Sequence, residues 1–370
     1  MTYDIGKLPL ETLIGRVVRA TEVLSRLDER LARSPVRDGF VERQHFADAA
    51  AALWIEGELV HVEDLVLHDA HMDIRTPTHE LTRAHAVLRA RRQIFTRAPD
   101  WALSGEGLRR LTGRGPPVEE VRGVREGALA ANVEAGETSE QEDDLLAEEL
   151  AAIDAVLERS TKVLDGAERA HVRKMGPAER PSLIYDLDWD EDARLAEWQA
   201  MATQTRELPT VLRAALLLES WAQIEVLQHA GWLGPLLVAA LLRREGVTTN
   251  YLTCLHLGAQ KVPRDRRCAR IRTDRLLALL DVMCEAALAG LKEHDRLMLA
   301  HAQMERRLRN RRASSRLPGL VELVLSRPFV STAMIQETLK VSKQGALNLV
   351  GDLRLREMTG RGRFRAWGIV

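Results

Sequence analysis

Between Leu317 and Val370 the hydrophobic period changes once, and that change constrains the fold more than any other feature of the chain. Up to Leu355 the apolar residues recur at helical spacing; beyond it they alternate, as in a strand. Ser331 and Ser342 stand just ahead of the runs TAMIQETL and KQGALNLVGDL. A serine hydroxyl there can accept from a backbone N–H that the first helical turn leaves unpaired. Ile335, Leu339 and Val341 supply an inner face, which Ala346, Val350 and Leu353 continue in the second run. The joint Lys340-Val341 is short enough to force a sharp angle between the two helices. Gly360 and Gly362 then permit a tight turn. Arg361, Arg363 and Arg365 alternate with Gly362, Phe364 and Ala366, so the three arginines share one face.

That pattern predicts a winged helix-turn-helix over 317–370, closed by a short β-hairpin. Such a module fits double-stranded DNA, with wing arginines neutralising phosphate. The candidate contacts are Lys343, Gln344 and Asn348 on the recognition helix, then Arg354, Arg356, Arg361, Arg363 and Arg365. The helix offers little for reading bases. Between Lys343 and Leu353 it has one cation, one anion (Asp352) and an outward-facing Leu347. Affinity is therefore expected to lean on Arg354, Arg356 and the wing. From Arg306 onward, fourteen Arg and Lys outnumber Asp and Glu several-fold, which points to an anionic partner at this end. The structural alternative is a winged helix used only for protein contacts.

With 370 residues, abundant alanine and leucine and few aromatics, the rest of the chain reads as all-α. The net charge of −1 excludes a general polycation. Cys254, Cys268 and Cys284 are an odd number without a CxxC, which fits neither a disulfide framework nor a zinc ribbon. The longest apolar run, Trp232 to Leu242, is too short to span a membrane. The N-terminus has no basic-then-apolar signal pattern, so a soluble cytoplasmic protein is expected.

Helical periodicity is predicted over 9–33, 42–58 (broken at Gly57), 62–72 and from Thr78 to Phe95. From Ser104 to Glu149 the composition turns glycine- and proline-rich and then acidic, which predicts a flexible linker or insertion at 104–149. Helices are expected again at about 190–205, 208–228, 232–245, 250–260 and 273–308. The domain reading is 1–103 as an N-terminal helical region, 150–308 as a helical core and 317–370 as the winged helix.

The stretch RQHFADAAAALWIEGELVHVEDLVLHDA (43–70) resembles the N-terminal region of Fic-domain proteins, where an alanine-rich helix ends in Ile-Glu-Gly. The order of a helical bundle, a long helix and a TGRxRxR wing is similar as well. The resemblance implies an inhibitory-type turn at Glu56 and Gly57, although Ala52 replaces the expected serine or threonine. It also implies a nucleotide-binding motif close to HPFxxGNGRxxR, and here the chain departs. Within AQIEVLQHAGWLGPLLVAALLRREG (222–246), one register places Gln228 at the histidine position. The other retains His229 and Gly234, but with Pro235, Leu236, Leu237 and Ala240 where the family has asparagine, glycine and arginines. Leucines cannot compensate a desolvated polyphosphate. The expectation is a degenerate Fic-like bundle without nucleotidyl transfer.

Other chemistry is weaker. His68 and His71 lie three apart near Asp69 and Asp73, and could share a helical face around a metal; solvated histidines are the simpler reading, and no metal or cofactor is assigned. His229 and Glu225 are i,i+4 and could form an acid–base pair. Gly105, Gly107, Gly113 and Gly115 lack the GK[ST] of a phosphate loop. Trp54, Trp189, Trp198, Trp221 and Trp232 are expected in the core. The leading expectation is a non-enzymatic, homodimeric DNA-binding regulator. The alternatives are an AMP transferase of Fic type with a variant site, and a pure protein-interaction partner.

Overall fold

The computed structural model describes residues 3–72, 76–113, 189–308, 316–358 and 365–369. Among them helix dominates, and the all-α expectation with one small sheet holds. The first half comprises α1 (Leu10–Ala32), α2 (Arg37–Ile55), α3 (Val62–Asp69), α4 (His79–Thr96), a 3₁₀ turn (Trp101–Leu103) and α5 (Gly105–Leu111). The core continues with α6 (Glu191–Gln204), α7 (Thr210–Ile224), α8 (Leu233–Arg244), α9 (Leu255–Lys261), α10 (Arg264–Arg267) and α11 (Arg272–Leu308). The C-terminal module adds α12 (Leu317–Ser326), β1 (Phe329–Ser331), α13 (Thr332–Leu339), α14 (Lys343–Leu353), β2 (Arg356–Glu357) and β3 (Ala366–Gly368).

Two helices organise the body, for different sequence reasons. The 37 residues of α11 extend about 55 Å at 1.5 Å per residue. Against this helix α1 lays a stripe of Leu13, Val17, Ala20, Leu24, Leu27 and Leu31 at helical spacing. Helix α2 instead is buried on nearly every side, from Phe40 to Leu53, because α4, α9 and α12 all pack on it. Its run Ala49–Ala52 keeps the surface narrow enough for those close neighbours. It starts at Arg37, earlier than the periodicity implies, because Phe40 and Val41 face the same core.

Three expectations need correction. Residues 105–111 are not linker: Ser104 caps α5 by accepting from Gly107 N at 3.1 Å. Gly107 also lies against the Trp101 carbonyl, where a Cβ would come within 1.9 Å of the oxygen, so glycine serves packing there. Residues 114–149 fall outside the described residues, as do 150–188. Trp54 is half exposed at 49%, whereas Trp198 and Trp221 are buried and meet edge to face at 5.3 Å. Glu225 caps α7 in the left-handed region (φ 50°), which ends the helix at Ile224. Glu225 and His229 therefore do not share a helical turn.

The helical body contains charges as well as leucines. Asp48 and Arg91, both fully buried, form an ion pair between α2 and α4. Asp48 also accepts from Leu257 N and meets His256 Nδ1, each at 3.0 Å. Burial alone would raise the Asp48 pKa; Arg91 and His256 outweigh it and hold the carboxyl below its ordinary range. A second buried carboxylate, Glu219, is gripped by Arg272, Arg275 and the Tyr3 hydroxyl. No described helix is long and apolar enough to cross a membrane. His68 stacks edge-on with His85, and His85 faces Asp69 at 3.4 Å. His71 turns away at φ 54° beyond the end of α3, and Asp73 lies outside the described residues. Among the described residues no group of three or more potential ligands gathers around a metal position.

Candidate nucleic-acid interface

Both serine caps form as their positions predict. Ser331 Oγ accepts from Met334 N at 3.2 Å, and Ser342 Oγ from Gly345 N at 3.1 Å. Ile335, Leu339, Ala346, Val350 and Leu353 are buried between α13 and α14, with Val341 partly covered. The joint is closed by Lys340 in the left-handed region (φ 53°), which turns the chain sharply into α14. Beyond α14 the strands pair antiparallel in the order β1-β3-β2, with Val330 opposite Trp367 and Glu357 opposite Trp367 on the other side. The first strand was not legible in the sequence. A three-residue strand that follows a proline and ends on an N-cap carries no period, and only pairing with β3 makes it a strand.

The recognition helix presents its candidates to solvent. Lys343, Gln344 and Asn348 are exposed, and Gln344 Nε2 donates to Asn348 Oδ1 at 3.0 Å. That i,i+4 bond fixes the two amides relative to each other. Leu347 is not outward-facing as expected; it is half-buried against the module's core. Arg354 closes α14 in the left-handed region (φ 49°, ψ 46°), its N–H donating to Gly351 O and Val350 O. This conformation costs a non-glycine residue about 1–2 kcal/mol. Arg356 follows two residues later and is exposed. Neither arginine side chain, nor Lys343, has an ion pair or hydrogen bond among the described residues. Arg365 is exposed as well, but Glu357 accepts from it at 2.7 Å and its guanidinium stacks over Trp367. Arg361 and Arg363 lie outside the described residues.

Sequence reasoning missed what anchors this module. Residues 1–116 and 190–370 form one compact unit, so the winged helix is docked on the body. Arg43 of α2, 5% exposed, donates to Val324 O at 3.1 Å and to the carbonyls of Arg327 and Pro328 just past α12. Its Nε pairs with Glu293 of α11 at 3.2 Å. Burial pushes the Arg43 pKa down to about 10, with Glu293 opposing, so the side chain stays cationic at neutral pH. Arg307 donates to Leu353 O at the C-terminal end of α14, where a cation favours the helix dipole. Arg296 donates to Ile369 O at 2.6 Å. Nothing in the local sequence distinguishes these arginines from solvent-facing ones.

The second candidate region, 222–246, is different in character. From Leu233 to Leu242 helix α8 buries almost every side chain, and these are apolar. Gly234 contributes no anion nest: a Cβ there would come within 2.4 Å of the Trp221 ring, so its glycine makes room for the indole. Gln228 and His229 lie in the connection between α7 and α8. Two of its backbone donors are taken by the chain's own carboxylates. Glu191 accepts from Gln228 N at 3.1 Å, and Glu56 from Trp232 N at 3.2 Å. Gly57, at φ 91°, completes the turn that lets Glu56 reach Trp232 and also pair with Arg83.

Comparison with known proteins agrees with this division. Residues 317–370 match a family described as an HTH DNA binding domain. Residues 183–309 match a family described as a protein of unknown function (DUF1612). The chain is also 50% identical over 380 aligned positions, covering all of both chains, to the uncharacterized protein y4cF of Sinorhizobium fredii (strain NBRC 101917 / NGR234). The chain belongs to the same family as that protein, with a DUF1612 region followed by a C-terminal helix-turn-helix DNA-binding domain.

Proposed function

We propose that this protein is a transcriptional regulator that binds double-stranded DNA through its C-terminal winged helix and has no nucleotidyl-transfer activity. The observation that carries the reading is three exposed cations, Lys343 at the start of a capped recognition helix, Arg354 at its end and Arg356 in the strand that follows, whose side chains have no partner among the described residues. Cations standing in water release counterions when they meet phosphate, so binding is salt-dependent and led by the backbone rather than by base edges. A homodimer doubles these contacts on a twofold site. The protein acts in the cytoplasm, where the DNA is.

A Fic-like ancestry with a decayed motif is the finer reading of the body. It is supported by the ordering of the elements and by Glu56 reaching the N-terminus of α8. Carboxylates on Gln228 N and Trp232 N would repel a polyphosphate at that helix end, which favours loss of transfer. Duplex binding measured between 50 and 200 mM salt tests the proposal. Steep salt dependence is expected, and replacing Arg361, Arg363 and Arg365 together should flatten the slope by up to about one unit for each phosphate no longer neutralised. Binding that ignores salt, or none at all, would remove the DNA-binding reading. A thermal shift with ATP and magnesium would instead favour the transferase.

A further inference from the structure

Beside the DNA-binding module, the body contains a partly open cavity of about 170 Å³ between the 3₁₀ turn, α5, α6, α7 and α8. Its floor is apolar: Leu103, Leu108, Trp198, Leu217 and Leu241. The rest of its lining combines Arg206, Arg213 and Arg244 with the neutral Gln199, Ala202 and Thr203. Of the three cations only Arg213 is buried; Arg244 is half-buried and Arg206 is exposed.

The charge balance inside the cavity is uneven. Arg213 is 4% exposed; its Nη1 donates to Glu245 at 3.0 Å and its Nη2 to Ala202 O at 2.7 Å. Its Nε is buried and has no hydrogen-bond partner among the described residues. Arg244 uses the same Glu245 oxygen, at 2.7 Å. Arg206 donates its backbone N–H to Thr203 O at 3.3 Å, but its side chain has no ion pair or hydrogen bond among the described residues. One carboxylate thus serves two arginines, and a third has none. Consistent with this, burial lowers the Arg213 pKa more than Glu245 restores it. The Arg213 Nε has no accessible surface; the guanidinium groups a ligand can meet are those of Arg206, which is exposed, and Arg244, which is half-buried.

Size and lining together select the ligand class. An apolar protein cavity of about 150 Å³ accommodates benzene, so this one admits about one ring or a branched chain of that bulk. Guanidinium forks match carboxylate geometry, and a carboxylate would meet the unpaired Arg206 side chain without displacing Glu245 from Arg213 and Arg244. We propose that the cavity binds a small apolar monocarboxylate, with its ring or chain against Trp198 and Leu217 and its carboxylate among Arg206, Arg213 and Arg244.

Benzoate titrated into the full-length protein, followed by tryptophan fluorescence and by calorimetry, tests this. Saturable one-to-one binding is expected, with the neutral isostere benzamide about tenfold weaker and benzylammonium weaker still. Arg206→Ala removes a cation that no described residue uses, so folding is preserved and benzoate affinity should fall about fivefold. Thr203→Trp fills the cavity from α6 and should abolish binding. Failure of benzoate to saturate, equal binding of benzoate and benzylammonium, or undiminished binding in both variants would overturn the assignment. Because binding is read without DNA, none of these outcomes bears on the winged-helix reading.

Discussion

The arginines of the helical body and those of the C-terminal module differ in what already holds them. In the body, Arg91 is paired with Asp48, Arg92 with Asp69 and Glu42, and Arg272 and Arg275 with Glu219. On the module, the side chains of Arg354 and Arg356 stand in solvent with no partner among the described residues. A guanidinium matched by a buried carboxylate adds to stability and has nothing left for phosphate. One in water adds little to stability and keeps its charge for a partner. The same residue type therefore does two separable jobs, and substitutions should separate them.

The largest effect is expected at the deepest pair. Arg91→Met leaves Asp48 as an uncompensated buried charge and should lower the unfolding free energy by roughly 3–5 kcal/mol in urea titration. A loss below about 1 kcal/mol would mean that His256 alone can balance Asp48. Next comes the docking arginine. Arg43→Met orphans the carbonyls of Val324, Arg327 and Pro328, at a cost of about 2–3 kcal/mol. It should leave the salt slope of DNA binding unchanged, since Arg43 is buried and reaches no phosphate.

A smaller effect follows from pH. His45 is 2% exposed; burial, then the charges of Arg91 and Arg92, hold its pKa well below the usual value, and His294 is lowered chiefly by burial. The unfolded chain binds protons at these sites near pH 6.5, whereas the folded protein resists them until lower pH. Stability contributed here is full above about pH 6.5 and lost progressively as pH falls toward the depressed folded values. Urea unfolding should give a lower free energy at pH 5.5 than at 7.5, and His45→Gln should narrow that gap. An unchanged gap would assign the pH response elsewhere.

The smallest effect is also the sharpest test of the contrast, because its two readouts move in opposite directions. Arg354 occupies a left-handed position that glycine adopts freely. Arg354→Gly should raise stability by up to about 1 kcal/mol while weakening DNA binding and reducing the salt slope by about one. Strain kept at an exposed cation is expected of a functional position. If stability rises and DNA binding is untouched, Arg354 does not touch phosphate.

Legibility followed the range of the forces involved. Ser331 and Ser342 act on N–H groups three residues away, so a reader of the sequence can place both caps. The same holds for the inner faces of α13 and α14, where one helical period decides burial. The strand β1 was missed because its partner β3 lies more than thirty residues downstream. Leu347 was misplaced as well, since helical period put it outward and it is half-buried. In the body, Trp54 and Trp198 look alike in sequence, yet one is half exposed and the other is 1% exposed.

By itself, then, the sequence determined the helical class, the caps, the order of helix, helix and hairpin, and that 228–237 has no glycine-rich phosphate motif. These depend on local period, capping and residue type, which operate within a few positions. Tertiary structure alone decided which arginines are matched by carboxylates and which stand in water, that α2 grips the winged helix through Arg43, and that Glu56 closes the N-terminus of α8. The physical reason is desolvation. Whether a charge is matched, buried or left in water depends on groups brought together from segments tens to hundreds of residues apart, and no local pattern records them.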